Sequence, residues 1–168
     1  PETDRRGEGA GRVVLIVDDV PENLAVLSDL LGEAGYVVLV ATDGERAIET
    51  ARRVVPDVIL LDAVMPGLDG FETCRRLKTE EAIRDIPVVF MTGLTETEHV
   101  LAGFAAGGVD YVTKPIQPVE VLARIAAHVL GGGSDSRLFL ILREQKGWTY
   151  GSYAALRRTR GLGYWEAT

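Results

Sequence analysis

Five short, mostly apolar runs constrain the fold of this chain more than any other feature. They lie at residues 13–17, 36–41, 58–61, 88–91 and 109–112. A continuous run of β-branched and other apolar residues is typical of a strand that is buried on both faces. Such strands occur mainly in parallel sheets whose two faces are covered by helices. The runs therefore predict a five-stranded parallel sheet.

Segments with the spacing of amphipathic helices separate and follow these runs. In the last of them, Pro118 precedes the apolar positions and Gly131 follows them. Proline is favoured in the first turn of a helix and glycine just beyond its end. Strand and helix thus alternate five times, which predicts an α/β fold, a doubly wound parallel sheet with helices on both faces.

Composition and charge narrow the class of protein. Apolar residues make up 46% of the chain and charged residues 26%, which is typical of a globular protein. There is no apolar run of about 18 residues and no apolar leader, so we expect a cytoplasmic protein without a membrane partner. The single cysteine, Cys74, excludes an internal disulfide and a cysteine-rich zinc site.

Charge is spread unevenly along the chain. The net charge is -7, and residues 131–168 carry a balance of +3, so residues 1–130 carry -10. Binding to a nucleic acid needs clustered lysine and arginine side chains that neutralise phosphates. An acidic body therefore argues against direct nucleic-acid binding. The change of sign also indicates that the tail is a separate segment.

Polar residues follow four of the five predicted strands. Asp18 and Asp19 follow the first strand, Asp62 ends the third, Thr92 follows the fourth and Lys114 follows the fifth. In an open parallel sheet, ligands bind at the carboxyl ends of the strands. We therefore expect these five side chains to converge on one edge. A single aspartate after a strand often serves only as a helix cap, so the argument depends on the whole set.

Three carboxylates at one edge imply a particular chemistry. Their mutual repulsion is tolerated when a divalent cation lies among them, and oxygen ligands suit Mg²⁺. One carboxylate can then attack phosphorus as a nucleophile and form an acyl phosphate. The metal and the Lys114 ammonium would offset the charge that develops on the phosphoryl oxygens.

Four motifs with the same order and spacing carry a family resemblance. They are Leu15–Asp19, Leu61–Gly70, Met91–Thr92 and Tyr111–Pro115. Over residues 12–130 the chain resembles the receiver domains of two-component response regulators, of the chemotaxis-regulator type. The resemblance implies a flavodoxin-like (βα)5 fold. It also implies a signalling switch that takes its phosphoryl group from a sensor histidine kinase or a phosphotransfer protein.

The resemblance also implies roles for single residues. Asp62 corresponds to the phospho-acceptor. Asp18 and Asp19, together with Asp62 and the backbone carbonyl of Val64, correspond to the ligands of Mg²⁺. Thr92 corresponds to the hydroxyl residue that contacts the phosphoryl group.

The remaining roles concern the phosphoryl group and its lifetime. Lys114 corresponds to the lysine that contacts the phosphoryl group, and Tyr111 to an aromatic switch that turns inward with Thr92. In this family the residues two positions after the acceptor and two after the threonine influence attack by water. Here they are Val64 and Leu94, which are both apolar and cannot orient a water molecule. We therefore predict a long-lived acyl phosphate.

Two other function classes share part of this pattern of residues. A phosphohydrolase of the haloacid dehalogenase type also places an aspartate after a strand, but it usually needs a second aspartate two residues on, where this chain has Val64. A degenerate receiver that only binds a partner would lack part of the acidic set, which is intact here. We therefore expect a switch that is not an enzyme acting on an outside substrate, with an unknown output domain or effector and a possible homodimer through the fourth and fifth helices.

The two ends of the chain lie outside the receiver pattern. Residues 1–11 are predicted to be disordered, and residues 131–168 to form a linker and a C-terminal extension. This extension resembles a fragment of a pitrilysin or insulinase-type peptidase domain, with Arg143 and Tyr150 seven residues apart. The chain has no His-x-x-Glu-His motif, and about 35 residues are too few to bury a core. We expect a foreign fragment without peptidase activity.

Simpler roles are predicted for other residues. Cys74 lies on the apolar face of a helix and is expected to pack in the core. His99 and His128 lack a second ligand at metal spacing, so both are expected at the surface or in an interface. The bond between Lys114 and Pro115 is a candidate cis peptide, as the family resemblance suggests.

Overall fold

A computed structural model of the chain describes residues 11–93 and 97–129, together with the backbone of residues 154–159 and 162–167. The side chains of residues 97–99 are also outside this description. The chain divides into two compact units, Pro1–Gly132 and Gly133–Thr168. Each unit is described by itself below.

The first unit is built on a parallel sheet of five strands. Their order across the sheet is β2-β1-β3-β4-β5, and every neighbouring pair is parallel. The strands are β1 (Val13–Val17), β2 (Val37–Ala41), β3 (Val58–Asp62), β4 (Val88–Thr92) and β5 (Asp110–Thr113). The predicted parallel sheet is thus confirmed.

One helix follows each strand of this sheet. They are α1 (Pro21–Glu33), α2 (Gly44–Val54), α3 (Gly70–Thr79), α4 (Thr97–Ala105) and α5 (Pro118–Val129). Two of them begin at an aspartate cap: Asp43 accepts a hydrogen bond from the backbone N–H of Arg46, and Asp69 accepts one from that of Glu72. Pro21 and Pro118 occupy first turns, where their missing N–H needs no partner. The predicted alternation of strand and helix is confirmed.

The core lies in the central strands and the helix faces that cover them. Every residue of β3 and β4 is buried, as a strand covered on both faces requires. On α1, Leu24, Leu27 and Leu31 recur at helical spacing and pack into the same core. The expectation of burial on both faces is wrong for β2, where Val37 is 49% and Val40 50% exposed. That strand is at the edge of the sheet, where it has a neighbouring strand on one side only.

Two predictions about single residues are confirmed and one is wrong. Cys74 is fully buried, and burial raises the pKa of its thiol to about 11. The peptide bond between Lys114 and Pro115 is cis. His128 is not at the surface: its side chain is buried, and its Nε2 lies 3.0 Å from Oδ2 of Asp110. Asp110 is a buried carboxylate, and its polar partner His128 comes from α5. The side chain of His99 lies outside the described residues.

The second unit contains a two-stranded antiparallel sheet. Its strands are β6 (Ala154–Thr159) and β7 (Leu162–Ala167), and Leu156 stands opposite Trp165 in the register. The sequence analysis assigned this segment to a linker and a C-terminal extension and predicted no strands in it. Arg143 and Tyr150 lie outside the described residues.

Among the described residues, no helix is both long enough and apolar enough to cross a bilayer.

Backbone strain at Val55 gives a prediction for stability. This residue ends α2 in the left-handed conformation, with φ 51°, and its side chain is 51% exposed. A β-branched residue is disfavoured there by about 1–2 kcal/mol, whereas glycine is not. We expect Val55→Gly to raise the free energy of unfolding by about 0.5–1 kcal/mol after the entropy cost of glycine. Urea unfolding measures this change.

The neighbouring residue provides the control. Val54 is 40% exposed but belongs to the helix. Glycine is unfavourable in a helix, so Val54→Gly is expected to lower stability by about 1 kcal/mol. Destabilisation by both substitutions would contradict the assignment of strain to Val55.

Candidate functional site

The order of the strands brings the predicted site residues to one edge of the sheet. Asp18 comes directly after β1, Asp62 is the last residue of β3 and Thr92 is the last residue of β4. Since β1 and β4 both pair with β3, the three chain positions are neighbours. Lys114 follows β5, and its backbone N–H donates to the carbonyl oxygen of Thr92 over 2.9 Å. The edge thus gathers residues from four strands.

Three carboxylates meet at this edge and are called here the acidic cluster: Asp18, Asp19 and Asp62. One oxygen of each lies within 4.8 Å of the others. Asp18 is fully buried and Asp62 is 3% exposed, whereas Asp19 is accessible to solvent. Charges so close together repel strongly, especially where water is excluded. The cluster therefore needs positive charge near it.

Lys114 supplies part of that charge. Its Nζ lies 3.1 Å from Oδ2 of Asp62 and 3.6 Å from Oδ2 of Asp18. Three carboxylates and one ammonium group still leave an excess of two negative charges. A divalent cation bound among the oxygens would balance that excess.

The backbone around Asp62 fixes its carboxylate. The N–H of Val64 donates to Oδ1 of Asp62 over 3.2 Å. At the start of α3, a Cβ on Gly70 would lie 2.1 Å from the carbonyl oxygen of Asp62, so only glycine allows the helix to begin there. Burial raises the pKa of Asp62, and the hydrogen bonds from Lys114 and Val64 oppose this rise.

Thr92 ends β4 at the same edge, and Tyr111 is the second residue of the neighbouring strand β5. Thr92 and Tyr111 are each 5% exposed. The ring of Tyr111 packs edge-on against Phe104 of α4, with centroids 6.5 Å apart. Val64 is 60% exposed beside the acidic cluster. Leu94 lies outside the described residues.

Sequence reasoning missed one residue that contacts the acidic cluster. Asn23, in the first turn of α1, donates from Nδ2 to Oδ2 of Asp18 over 3.0 Å. The sequence held one weak signal, its position five residues after Asp18, because α1 must start close to the strand end. Asparagine in the first turn of a helix is common for other reasons, so this position alone does not select it.

Comparison with known proteins identifies the family. The profile of the response regulator receiver domain matches residues 14–126. The chain belongs to the receiver domain family of response regulators. A second profile, described as the peptidase M16 inactive domain, matches residues 91–168, and this supports the predicted resemblance of the tail. Its match begins inside the receiver domain, so it does not mark a boundary between the two.

Curated relatives include bacterial response regulators. Response regulator PleD of Caulobacter vibrioides is 39% identical over 156 residues, which cover 89% of this chain and 33% of the relative. The DNA-binding response regulator MtrA of Mycolicibacterium smegmatis is 36% identical over 116 residues, covering 69% of this chain and 50% of the relative. This chain thus spans between a third and a half of these relatives.

Solved structures of receiver domains have the same fold. Chemotaxis protein CheY4 of Vibrio cholerae is 32% identical, with a TM-score of 0.67 over 69% of this chain and 97% of that one. The receiver domain of sensor histidine kinase PA1611 from Pseudomonas aeruginosa is 33% identical, with a TM-score of 0.67 over 73% of this chain and all of that one. That structure is described with a magnesium ion coordinated in its active site cleft.

The strain within the acidic cluster leads to a prediction. Because burial and Asp18 raise the pKa of Asp62, its ionised form destabilises the folded state. This penalty is absent below the ordinary aspartate range, near pH 4, and grows as pH rises through the folded pKa. We expect Asp62→Asn to stabilise the metal-free protein at pH 7.5 by about 1 kcal/mol. Thermal unfolding at pH 7.5 and pH 4 measures the difference.

Asp29→Asn is the matched control, because Asp29 is an exposed aspartate on α1 outside the acidic cluster. It should leave stability unchanged at both pH values. The gain from Asp62→Asn should shrink at pH 4 and also when Mg²⁺ is added. A loss of stability at pH 7.5 would contradict the electrostatic account.

Proposed function

We propose that this receiver domain accepts a phosphoryl group on Asp62, in a Mg²⁺-dependent reaction with a histidine kinase or phosphotransfer protein. The main support for this proposal is the acidic cluster together with Lys114. One oxygen of each of the three carboxylates lies within 4.8 Å of the others, and the Lys114 ammonium group lies 3.1 Å from Asp62. Burial raises the pKa of Asp62, and a carboxylate with a raised pKa beside other charged groups is typical of a functional site. The membership of the family supports the same conclusion.

The residues of the acidic cluster fit a magnesium ion. Oxygen atoms are the ligands that Mg²⁺ prefers, and two unbalanced negative charges match its charge. Asp18, Asp19 and Asp62 would hold the ion, with the backbone carbonyl of Val64 as a further ligand. When bound, the ion offsets negative charge on the phosphoryl oxygens. The magnesium ion described in the PA1611 receiver domain supports this assignment.

The chemical step is nucleophilic attack by Asp62. A carboxylate oxygen forms a bond to phosphorus while the P–N bond of the donor phosphohistidine breaks, and the imidazole nitrogen keeps the electron pair. The product is an acyl phosphate. Lys114 already contacts Asp62, so a small movement of its ammonium group pairs it with a phosphoryl oxygen. The Thr92 hydroxyl donates a hydrogen bond to the same group.

Signalling follows from a change in packing near the new charge. We assign the switch to Thr92 and Tyr111, which are nearly buried on the adjacent strands β4 and β5 and line one cavity together with Phe104. Movement of Thr92 toward the phosphoryl group changes the space beside Tyr111, whose ring packs against Phe104 of α4. Helix α4 thereby senses the state of Asp62.

The wider role is that of a cytoplasmic signalling component. Residues 12–130 act as the receiver, and the output lies in an effector or domain that the sequence does not name. The chain itself is assigned no enzyme activity on an outside substrate and no nucleic-acid contact, in keeping with its acidic receiver. We also propose a homodimer through α4 and α5, each of which exposes a large apolar side chain: Leu101 is 61% and Val119 is 81% exposed.

Phosphorylation itself is tested by intact-mass measurement. The protein is incubated with acetyl phosphate and Mg²⁺, and we expect a mass increase of one phosphoryl group. The adduct should be absent from Asp62→Asn and present in Asp29→Asn, and chelation of Mg²⁺ should prevent it. An unmodified wild-type protein at saturating donor, or an adduct that persists in Asp62→Asn, would refute the proposal.

The lifetime of the acyl phosphate gives a further prediction. Val64 is exposed beside Asp62 and cannot hydrogen-bond a water molecule. We expect a slow loss of the phosphoryl group, and we expect Val64→Asn to speed this loss about tenfold by orienting water, which is less than the roughly 100-fold or more of a well-placed general base. Mass spectrometry after removal of the donor follows the decay.

Val40→Asn is the control for this experiment. Val40 has a similar exposure, 50%, but lies on the edge strand β2. Its substitution should leave the decay unchanged. A wild-type half-life of seconds would show that Val64 does not protect the acyl phosphate.

A further inference from the structure

Asn23 makes a direct polar contact with the acidic cluster. Its side-chain Nδ2 lies 3.0 Å from Oδ2 of Asp18. An ionised carboxylate can only accept hydrogen bonds, so the amide NH₂ group must face it. This donor is neutral, and it therefore supports the carboxylate without repelling a cation beside it.

Two hydrogen bonds and one ion pair surround the Asp18 carboxylate. The N–H of Val20 donates to Oδ1 over 2.9 Å, and Oδ2 accepts from Asn23 and lies 3.6 Å from Nζ of Lys114. An ionised carboxylate has about four acceptor positions. Two of them accept hydrogen bonds, a third faces the Lys114 ammonium group at ion-pair distance, and about one is left for a further partner. Asp18 is fully buried, so its orientation is set by these partners rather than by bulk water.

Asn23 is itself held in place by α1. Its backbone N–H donates to the carbonyl oxygen of Val20 over 3.1 Å, and the adjacent Leu24 is anchored in the core. The amide group thus reaches Asp18 from a fixed backbone. Its contact with Oδ2 is also shorter than that of Lys114. Lys114 is expected to leave this oxygen for the phosphoryl group, whereas Asn23 has no such alternative.

We propose that Asn23 is a positioning residue for the magnesium site. It holds the Asp18 carboxylate in the orientation that presents its remaining acceptor position to the cation. This inference rests on the proposed function, in which the acidic cluster binds Mg²⁺. Groups that orient a metal-ligating carboxylate typically change metal affinity by about 10–100-fold when they are removed.

Direct binding of Mg²⁺ tests the inference. Isothermal titration calorimetry compares the wild type with Asn23→Ala and with Ser28→Ala, a partly buried polar residue farther along α1. We expect Asn23→Ala to weaken Mg²⁺ binding about tenfold and Ser28→Ala to leave it unchanged. Asn23→Ala is also expected to lower the melting temperature of the metal-free protein, because it leaves an acceptor of the buried Asp18 carboxylate without its donor. Both variants are therefore titrated well below their melting temperatures.

The dependence of phosphorylation on Mg²⁺ separates a positioning role from a structural one. With acetyl phosphate as donor, Asn23→Ala should need about tenfold more Mg²⁺ for half-maximal rate and should reach the wild-type rate at saturating Mg²⁺. Equal Mg²⁺ affinity in the two variants would overturn the inference while leaving the proposed function intact. A lower rate at saturating Mg²⁺ with unchanged affinity would also overturn it. A wild-type protein that binds no Mg²⁺ would refute the proposed function and the inference together.

Discussion

Two carboxylates, those of Asp18 and Asp62, are buried side by side at one edge of the sheet, with Asp19 beside them. A buried charge is unfavourable unless hydrogen bonds and opposite charge compensate it. The backbone at Val20 and Val64 supplies hydrogen bonds, and Lys114 supplies an ammonium group. These partners come from the loops after β1, β3 and β5. Those loops must therefore adopt conformations that place these partners against the buried carboxylates.

The parallel sheet suits this requirement for a second reason. In a doubly wound fold every helix starts at the carboxyl edge of the sheet, so the positive ends of the helix dipoles lie near that edge. Helix α1 starts at Pro21, close to Asp18, and α3 starts at Gly70, against the carbonyl of Asp62. Backbone dipoles therefore support negative charge where the acidic cluster lies. They act without placing further ammonium groups in competition with a divalent cation.

Incomplete compensation connects stability with function. Burial raises the pKa of Asp62 in spite of its bonds from Lys114 and Val64, so the metal-free cluster is under electrostatic strain. In the proposed mechanism, a bound cation relieves that strain and phosphorylation of Asp62 redistributes the charge again. The residues proposed to respond, Thr92 and Tyr111, are nearly buried on neighbouring strands, and Tyr111 contacts α4. A change of charge at Asp62 can thus become a change of packing at a helix.

The sequence by itself determined the fold class and the edge at which the acidic residues lie, because apolar runs and helical spacing reflect burial directly and strand ends in a parallel sheet share one edge. It could not determine contacts between side chains from different elements. The hydrogen bond of Asn23 to Asp18, the buried pair of His128 and Asp110, and the exposure of β2 depend on which elements become neighbours. Only the tertiary structure decides that, since the distances between these atoms follow from packing and not from their separation along the chain.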